Sequence, residues 1–447
     1  MRFARKVLLL IAVFLAGPAF AAPGQPLPMQ AWHRKAIGFS IAVYYLSPPA
    51  SDPQKAARTL AADPRYRLKV AGKLDKTAFD TALLKIDHSA NAAHDYAPPS
   101  LESLRYFGRG LTLDQAQRLQ KAAQVIVLTF AHPGHQPSNA LYRAELFVAE
   151  LARQGQAIIW DVETREAFTP ESWDTDRLQT WENGIPDVSK QIVIHAYNND
   201  GRTRAITLGM ARFGAPDLAI NDTVWSLNTP LGNALNAAAQ QLTEQGPPDE
   251  KGLLQLNIAT IRHTAVRKRL SSGVVAGGSG QGRLRLVEAS AEAGDPDNLI
   301  AALTFDTYPG SSATERQIGF IKSVFGSQSD EVVAVRQRAA LREASERARR
   351  QLPALQKAFV RGLAPGERLE FKVPFTMTNG GGREYMWVEV LEWKGEQIKG
   401  MLLSDPRYVA GLKAGQIVET RQSDVFDYIR RSPDGRTEGN ETSKLLK

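Results

Sequence analysis

Asp424 and Asp427 stand three residues apart, and Asn440 and Glu441 follow a short way downstream. Two carboxylates brought together repel, so one keeps its proton and can act as an acid while the other stays ionised and can act as a base. The same residue types also close turns, because Asp and Asn accept hydrogen bonds from nearby backbone N–H groups. The cluster therefore reads either as the machinery of a hydrolase, working through Asp424, Asp427 or Glu441, or as turn architecture. Just upstream, Tyr385, Trp387, Glu389 and Trp393 share one strand parity. Exposed, that row would be a binding platform with Trp387 and Glu389 in it. Buried, it would pack against the Arg-rich stretch near residues 330–350.

Other chemistry is scarce. The chain has no cysteine, which removes disulfide scaffolds, thiolate nucleophiles and iron–sulfur ligation. Ser279 lies in Gly277-Gly278-Ser279-Gly280-Gln281, which lacks the last glycine of a nucleophile elbow, and the same stretch lacks the Lys-Ser/Thr ending of a phosphate loop. His132 and His135 flank Pro133-Gly134 after an apolar run, and are weak metal candidates; no His-Glu-x-x-His occurs. No catalytic residue, metal or cofactor is assigned from the sequence.

The elements that must position these residues fall into successive regions. Residues 1–21 read as an export signal. Arg2, Arg5 and Lys6 precede the apolar run Val7–Leu15, and Ala19-Phe20-Ala21 offers a cleavage site before Ala22. The expected location is periplasmic or secreted. Lys and Arg total 55 against 47 Asp and Glu, a net +8, of which the signal carries three cations and no acid. A net charge near +5 over the rest is mild, and with no basic stripe interleaved with stacking aromatics it does not imply nucleic acid. No later stretch is apolar and long enough to span a bilayer. The expected partner is a protein or ligand of the envelope.

Residues 22–31 are a Pro/Gly-rich leader arm. Residues 32–245 read as an α+β region, a mixed sheet with helices. Ile37, Phe39, Ile41, Val43 and Tyr45 alternate as a strand, and Ser51-Asp52-Pro53 opens a helix. Val125–Phe130, a helix stripe of Leu141, Ala144, Val148 and Leu151, and Ala157–Trp160 form a βαβ unit. Residues 246–329 hold the Gly-rich loop and two further strands. Residues 330–447 begin with an Arg-rich helix that Pro353 interrupts, and continue as a small helix-plus-antiparallel-sheet domain. There Phe371, Val373 and Phe375 alternate, Lys394-Gly395 makes a hairpin, and Ser404-Asp405-Pro406 begins a short helical turn.

This last region resembles the YegJ-like family of bacterial domains of unknown function. The resemblance runs over about residues 340–446 and rests on Glu384-Tyr385-Met386-Trp387-Val388, Gly400-Met401-Leu402 with Asp405-Pro406, Leu412-Lys413-Ala414-Gly415, Asp424-Val425-Phe426-Asp427-Tyr428, and Asp434-Gly435 with Glu438-Gly439-Asn440-Glu441-Thr442. Family members often carry Trp where this chain has Tyr428. The resemblance implies a small helix-plus-sheet domain and no known reaction, and some relatives look like immunity proteins of toxins. The expected function is thus non-catalytic binding in the envelope, with a hydrolase and an immunity-type inhibitor as alternatives.

The signal reading has a direct check. Intact-mass and N-terminal analysis of the protein recovered from the cell envelope should show a chain starting at Ala22. A chain recovered from the cytosol with Met1 in place overturns it.

Overall fold

A computed structural model describes residues 24–32, 34–74, 80–134, 137–199, 202–224, 227–326, 338–378, 382–406 and 408–442. The cleavage residues Ala21 and Ala22, and His135, lie outside them. The chain divides into two compact units. One comprises the residues up to Leu101 with Asp114–Gln328, the other Glu102–Leu113 with Ser329–Lys447.

The first unit carries two sheets. In the first sheet the strands are β1 (Ala36–Tyr45), β2 (Leu68–Val70), β3 (Ala82–Ser89), β4 (Gln124–Pro133), β5 (Ile158–Asp161) and β6 (Glu166–Phe168), in the order β2-β3-β4-β1-β5-β6. Helix α1 (Pro53–Ala61) starts where the sequence predicts, with the Asp52 carboxylate accepting from Lys55 N–H at 2.6 Å and Pro53 in the first turn. The strand–helix–strand unit is present as β4, α2 (Pro137–Gly155) and β5, but its two strands are not neighbours. Strand β1 is inserted between them and pairs antiparallel with both. Its residues from Phe39 to Tyr45 are buried, as a central strand covered on both faces requires.

In the second sheet, β7 (Val193–Asn199) and β8 (Arg202–Leu208) pair antiparallel, and β9 (Asp217–Thr223) follows. Residues beyond 246 add β10 (Leu253–Asn257), β11 (Gln281–Glu288) and β12 (Ile300–Thr304) to this same sheet, in the order β7-β8-β9-β12-β11-β10. Helices α3 (Asn228–Gln245) and α4 (Ala313–Phe325) pack on it, and one apolar core joins both sheets to α2 and α3.

A buried ionic knot lies within this unit. Arg212 donates twice to Asp161, at 2.7 and 2.9 Å, and Arg177 reaches Asp161 at 3.0 Å and Glu166 at 2.9 Å. Arg177 also lies over the rings of Phe168 and Trp173. Burial pushes the Asp161 carboxyl up, but the two guanidinium groups outweigh it and hold the acid ionised, below its usual range. Glu145 is fully buried nearby, and burial raises it to about 8 against the pull of Arg177 and Arg212.

The second unit is a helix pair and one antiparallel sheet. Helix α5 (Arg338–Arg350) ends before Gln351, and α6 (Leu352–Arg361) restarts the chain with Pro353 in its first turn, where a missing N–H costs nothing. The strands are β13 (Arg368–Thr376), β14 (Arg383–Lys394), β15 (Gln397–Leu402), β16 (Ile417–Arg421), β17 (Asp427–Arg431) and β18 (Thr437–Gly439), ordered β16-β15-β14-β13-β17-β18. Leu369, Phe371 and Val373 of β13, Met386, Val388 and Val390 of β14, and Ala348, Leu352 and Leu355 of the helices make its core. The helical turn expected at Ser404-Asp405-Pro406 is not found among the described residues; Ser404 is a bend, and Asp405 and Pro406 are irregular.

Glu145 gives a pH test. Its folded-state value, raised to about 8, exceeds the unfolded one, so the folded state holds a proton that the unfolded chain releases, and stability falls as pH rises between the two values. The loss is at most about 1.4 kcal/mol per pH unit. Glu145→Gln keeps an acceptor for the Trp181 indole N–H, which bonds the carboxylate at 3.1 Å. Urea titrations should find the variant little changed at pH 5 and more stable than wild type at pH 8. An equal difference at both pH values contradicts the assignment.

Candidate functional site: the polar face of the C-terminal sheet

The C-terminal sheet has two unlike faces, and strand β14 decides what lies on each. Alternation places Met386, Val388 and Val390 on the helix-covered face, and Tyr385, Trp387 and Glu389 on the other. A β-bulge between Val390 and Glu392 then shifts the register by one. Trp393 therefore joins the core instead of the row with Trp387 and Glu389, and meets Phe371 edge-on at 4.9 Å. The single parity expected for Tyr385, Trp387, Glu389 and Trp393 fails there. Gly400, paired with Val390 on β15, sits beside the bulge; a Cβ there would collide with the Glu389 carbonyl oxygen and the Val388 side chain.

On the polar face Glu389 is opposite Glu370 of β13, and both are buried. Arg431 donates to both carboxylate oxygens of Glu370, at 2.5 and 3.2 Å. Glu389 lies in a different setting. Burial raises its carboxyl, Arg368 and Arg105 pull it down, and Glu370 adds a like charge that pushes it up again. The Arg105 guanidinium lies 3.5 Å away and donates to the Val390 carbonyl at 2.7 Å. Arg105 and Arg368 both lie over the Tyr106 ring. Segment 102–113, more than 200 residues upstream, thus closes over the middle of this face. Glu370 and Glu389 thus bring two carboxylates together in unlike environments.

The acids singled out from the sequence are not brought together in this way. Asp427 is buried and accepts three bonds, from Tyr428 N–H at 2.8 Å and from the Thr442 N–H and hydroxyl at 2.7 Å each. Asn440 takes a left-handed backbone, φ 56°, and its N–H bonds the Tyr428 carbonyl at 2.7 Å. Glu441 is half-buried in the same turn. Asp427 and Asn440 fasten residues 440–442 onto β17, the turn architecture of the two readings. Lys372 lies over the Trp387 ring at 5.7 Å and donates to the Thr442 hydroxyl at 3.4 Å; burial lowers its ammonium, with Asp427 opposing. Asp424 shares none of these partners. It is exposed and lines an open cleft of about 450 Å³ with Glu392, Lys394, Lys399, Glu419 and Arg421.

His132 is buried in β4 with its ring edge on Phe39, and burial lowers it to about 4, so it is neutral at pH 7. Among the described residues no group of three His, Asp or Glu is placed to hold a metal ion.

Glu370, Arg368 and Lys372 alternate with Leu369, Phe371 and Val373 in the sequence, so their place on a polar face was readable. Arg105 and Tyr106 carry no such signal.

Over residues 337–447 the chain matches the model of a family described as "Uncharacterized protein conserved in bacteria (DUF2314)". The match takes in α5, α6 and the whole C-terminal sheet. No curated protein and no solved structure matches the chain.

Trp393→Ala should cost about 3–5 kcal/mol in chemical denaturation, as a core aromatic does. Trp387→Ala, half-buried on the polar face, should cost under about 1.5 kcal/mol. Equal costs would show that the bulge does not separate the two rings.

Proposed function

We propose that this is an exported protein of the bacterial envelope whose C-terminal unit binds a partner and performs no catalysis. The observation that carries the reading is the use of its acids. Asp427 holds a turn, and Glu370 is tied to Arg431. Glu389 is 3% exposed under Tyr106 and Arg105. A general acid must reach its substrate within hydrogen-bond distance, and a covered one does not. What faces water is the cleft, whose Glu392, Lys399 and Glu419 stand in one cross-strand row with both signs of charge. Such a surface suits a partner of matching, alternating charge. The export signal supports the envelope, and the YegJ-like motifs support the finer family assignment over the matched stretch.

One observation favours a hydrolase instead, namely that Glu389 faces Glu370 across the strand pair and that burial raises the Glu389 carboxyl. The two readings separate in one experiment. A photo-crosslinking residue at Glu419, within the cleft, should give one discrete protein adduct in intact cells, and Lys399→Glu with Arg421→Glu should abolish it. The same group at Lys357, on α6, should not give that adduct. Absence of an adduct from a normally accumulating protein overturns binding in the cleft. Release of soluble fragments from envelope polymer, lost in Glu389→Gln, establishes the hydrolase.

A further inference from the structure

The net positive charge of the protein is concentrated in one place. Helices α5 and α6, residues 338–361, carry seven Lys and Arg against Glu343 and Glu346. Setting these aside, with the three cations of residues 1–21, reduces the totals of 55 and 47 to 45 of each sign. The remainder of the chain is thus balanced, and the helix pair alone carries +5.

The structure shows how that charge is displayed. Ala344 and Ala348 of α5 and Leu352 and Leu355 of α6 face inward. Arg342, Arg347, Arg349, Arg350, Lys357 and Arg361 are all exposed. None of these six forms an ion pair among the described residues, although side chains of opposite sign stand one turn away, at Glu343 and Glu346. Arg350 and Arg361 donate only to backbone carbonyls of their own helices, Glu346 O at 3.4 Å and Lys357 O at 3.2 Å. Val360 stands among them 71% exposed, the most open of the large apolar side chains described.

We infer that this helix pair is a docking surface for an anionic lipid bilayer. Charge complementarity carries the inference, and shape selects among polyanions. None of the six cations lines a cleft described among these residues. Unpaired cations spread along two consecutive helices fit an extended negative plane, where each cation near the surface adds to binding. An exposed valine between them suits the boundary of headgroups and acyl chains. No aromatic side chain is exposed on the pair to stack on bases: Phe359 is half-buried and packs at 6.2 Å on Trp393.

The test is sedimentation of the full chain with vesicles of 30% phosphatidylglycerol in phosphatidylcholine, against phosphatidylcholine alone. The expected result is binding to the anionic vesicles that falls at least tenfold between roughly 50 and 300 mM NaCl, as screening demands. Replacing Arg342, Arg347, Arg349 and Arg350 together by Gln should weaken it at least tenfold, with the circular dichroism and the unfolding midpoint unchanged. Equal binding to both vesicle types, or binding indifferent to salt and to the four substitutions, overturns the inference and points to the apolar run at residues 7–15. Tighter binding to duplex DNA than to the anionic vesicles at one salt concentration overturns it in favour of a nucleic acid. None of these outcomes depends on the cleft lined by Lys399 and Arg421.

Discussion

Strand β14 must serve two solvents at once. Its length exceeds what one simple alternation can satisfy, because Glu389 belongs on a polar face and Trp393 in an apolar core, four residues apart and hence on one side of a regular strand. The bulge at Val390–Glu392 resolves the conflict by spending one extra residue. That register change separates the two uses of β14. Before it, the polar face carries Glu389 opposite Glu370. After it, Glu392 and Lys394 face the cleft while Trp393 fills the space against Phe371 and Phe359. Gly400 is part of the same solution, since the partner strand approaches too closely there for a side chain.

That register change also marks how far the sequence could be read. Elements with their own local chemistry were legible: the Asp52 cap, the Leu141–Leu151 stripe, the Lys394-Gly395 hairpin and the break at Pro353. Each depends on neighbours within a few residues. The order of strands was not legible, since the insertion of β1 between β4 and β5 is a long-range choice that hydrophobic pattern does not encode. A bulge is one residue wide and leaves no periodic trace, so Trp393 was placed with Trp387. The polar face was half visible, through the alternation of Arg368, Glu370 and Lys372. Its cover, Arg105 and Tyr106, was invisible because the contact spans 284 positions between Arg105 and Glu389.

The ionic knot in the first unit was missed for a related reason. Asp161, Arg177 and Arg212 come from three separate elements, and no motif joins them. Charges buried this deeply persist only when they balance, because an uncompensated one costs several kcal/mol. Two guanidinium groups oppose the carboxylates of Asp161 and Glu166, which makes the knot neutral. Glu145 and Glu163 stand beside it, and burial raises them to about 8 and about 7. Burial thus favours the protonated form of both acids, and a proton on Glu145 at neutral pH preserves the balance that its ionisation would upset. Asp217 solves the same problem differently. It accepts from the Thr207 hydroxyl at 2.9 Å, Met210 N–H at 3.1 Å and Asn298 at 2.7 Å, so donors without net charge support its carboxyl.

The two units therefore handle charge in opposite ways, and this bears on what each can do. In the first, the knot of Asp161, Glu166, Arg177 and Arg212 is buried, and it sets which residues pack together. In the second, Glu370, Glu389 and Asp427 are buried, while the charged groups of the cleft and of the outer side of the helix pair meet water. A covered acid such as Glu389 loses reach as burial raises its carboxyl, while an exposed one such as Asp424 keeps reach. Catalysis by carboxyl groups needs both properties at one position. Recognition needs only reach and a fixed pattern of sign, and the row of Glu392, Lys399 and Glu419 exposes both signs of charge.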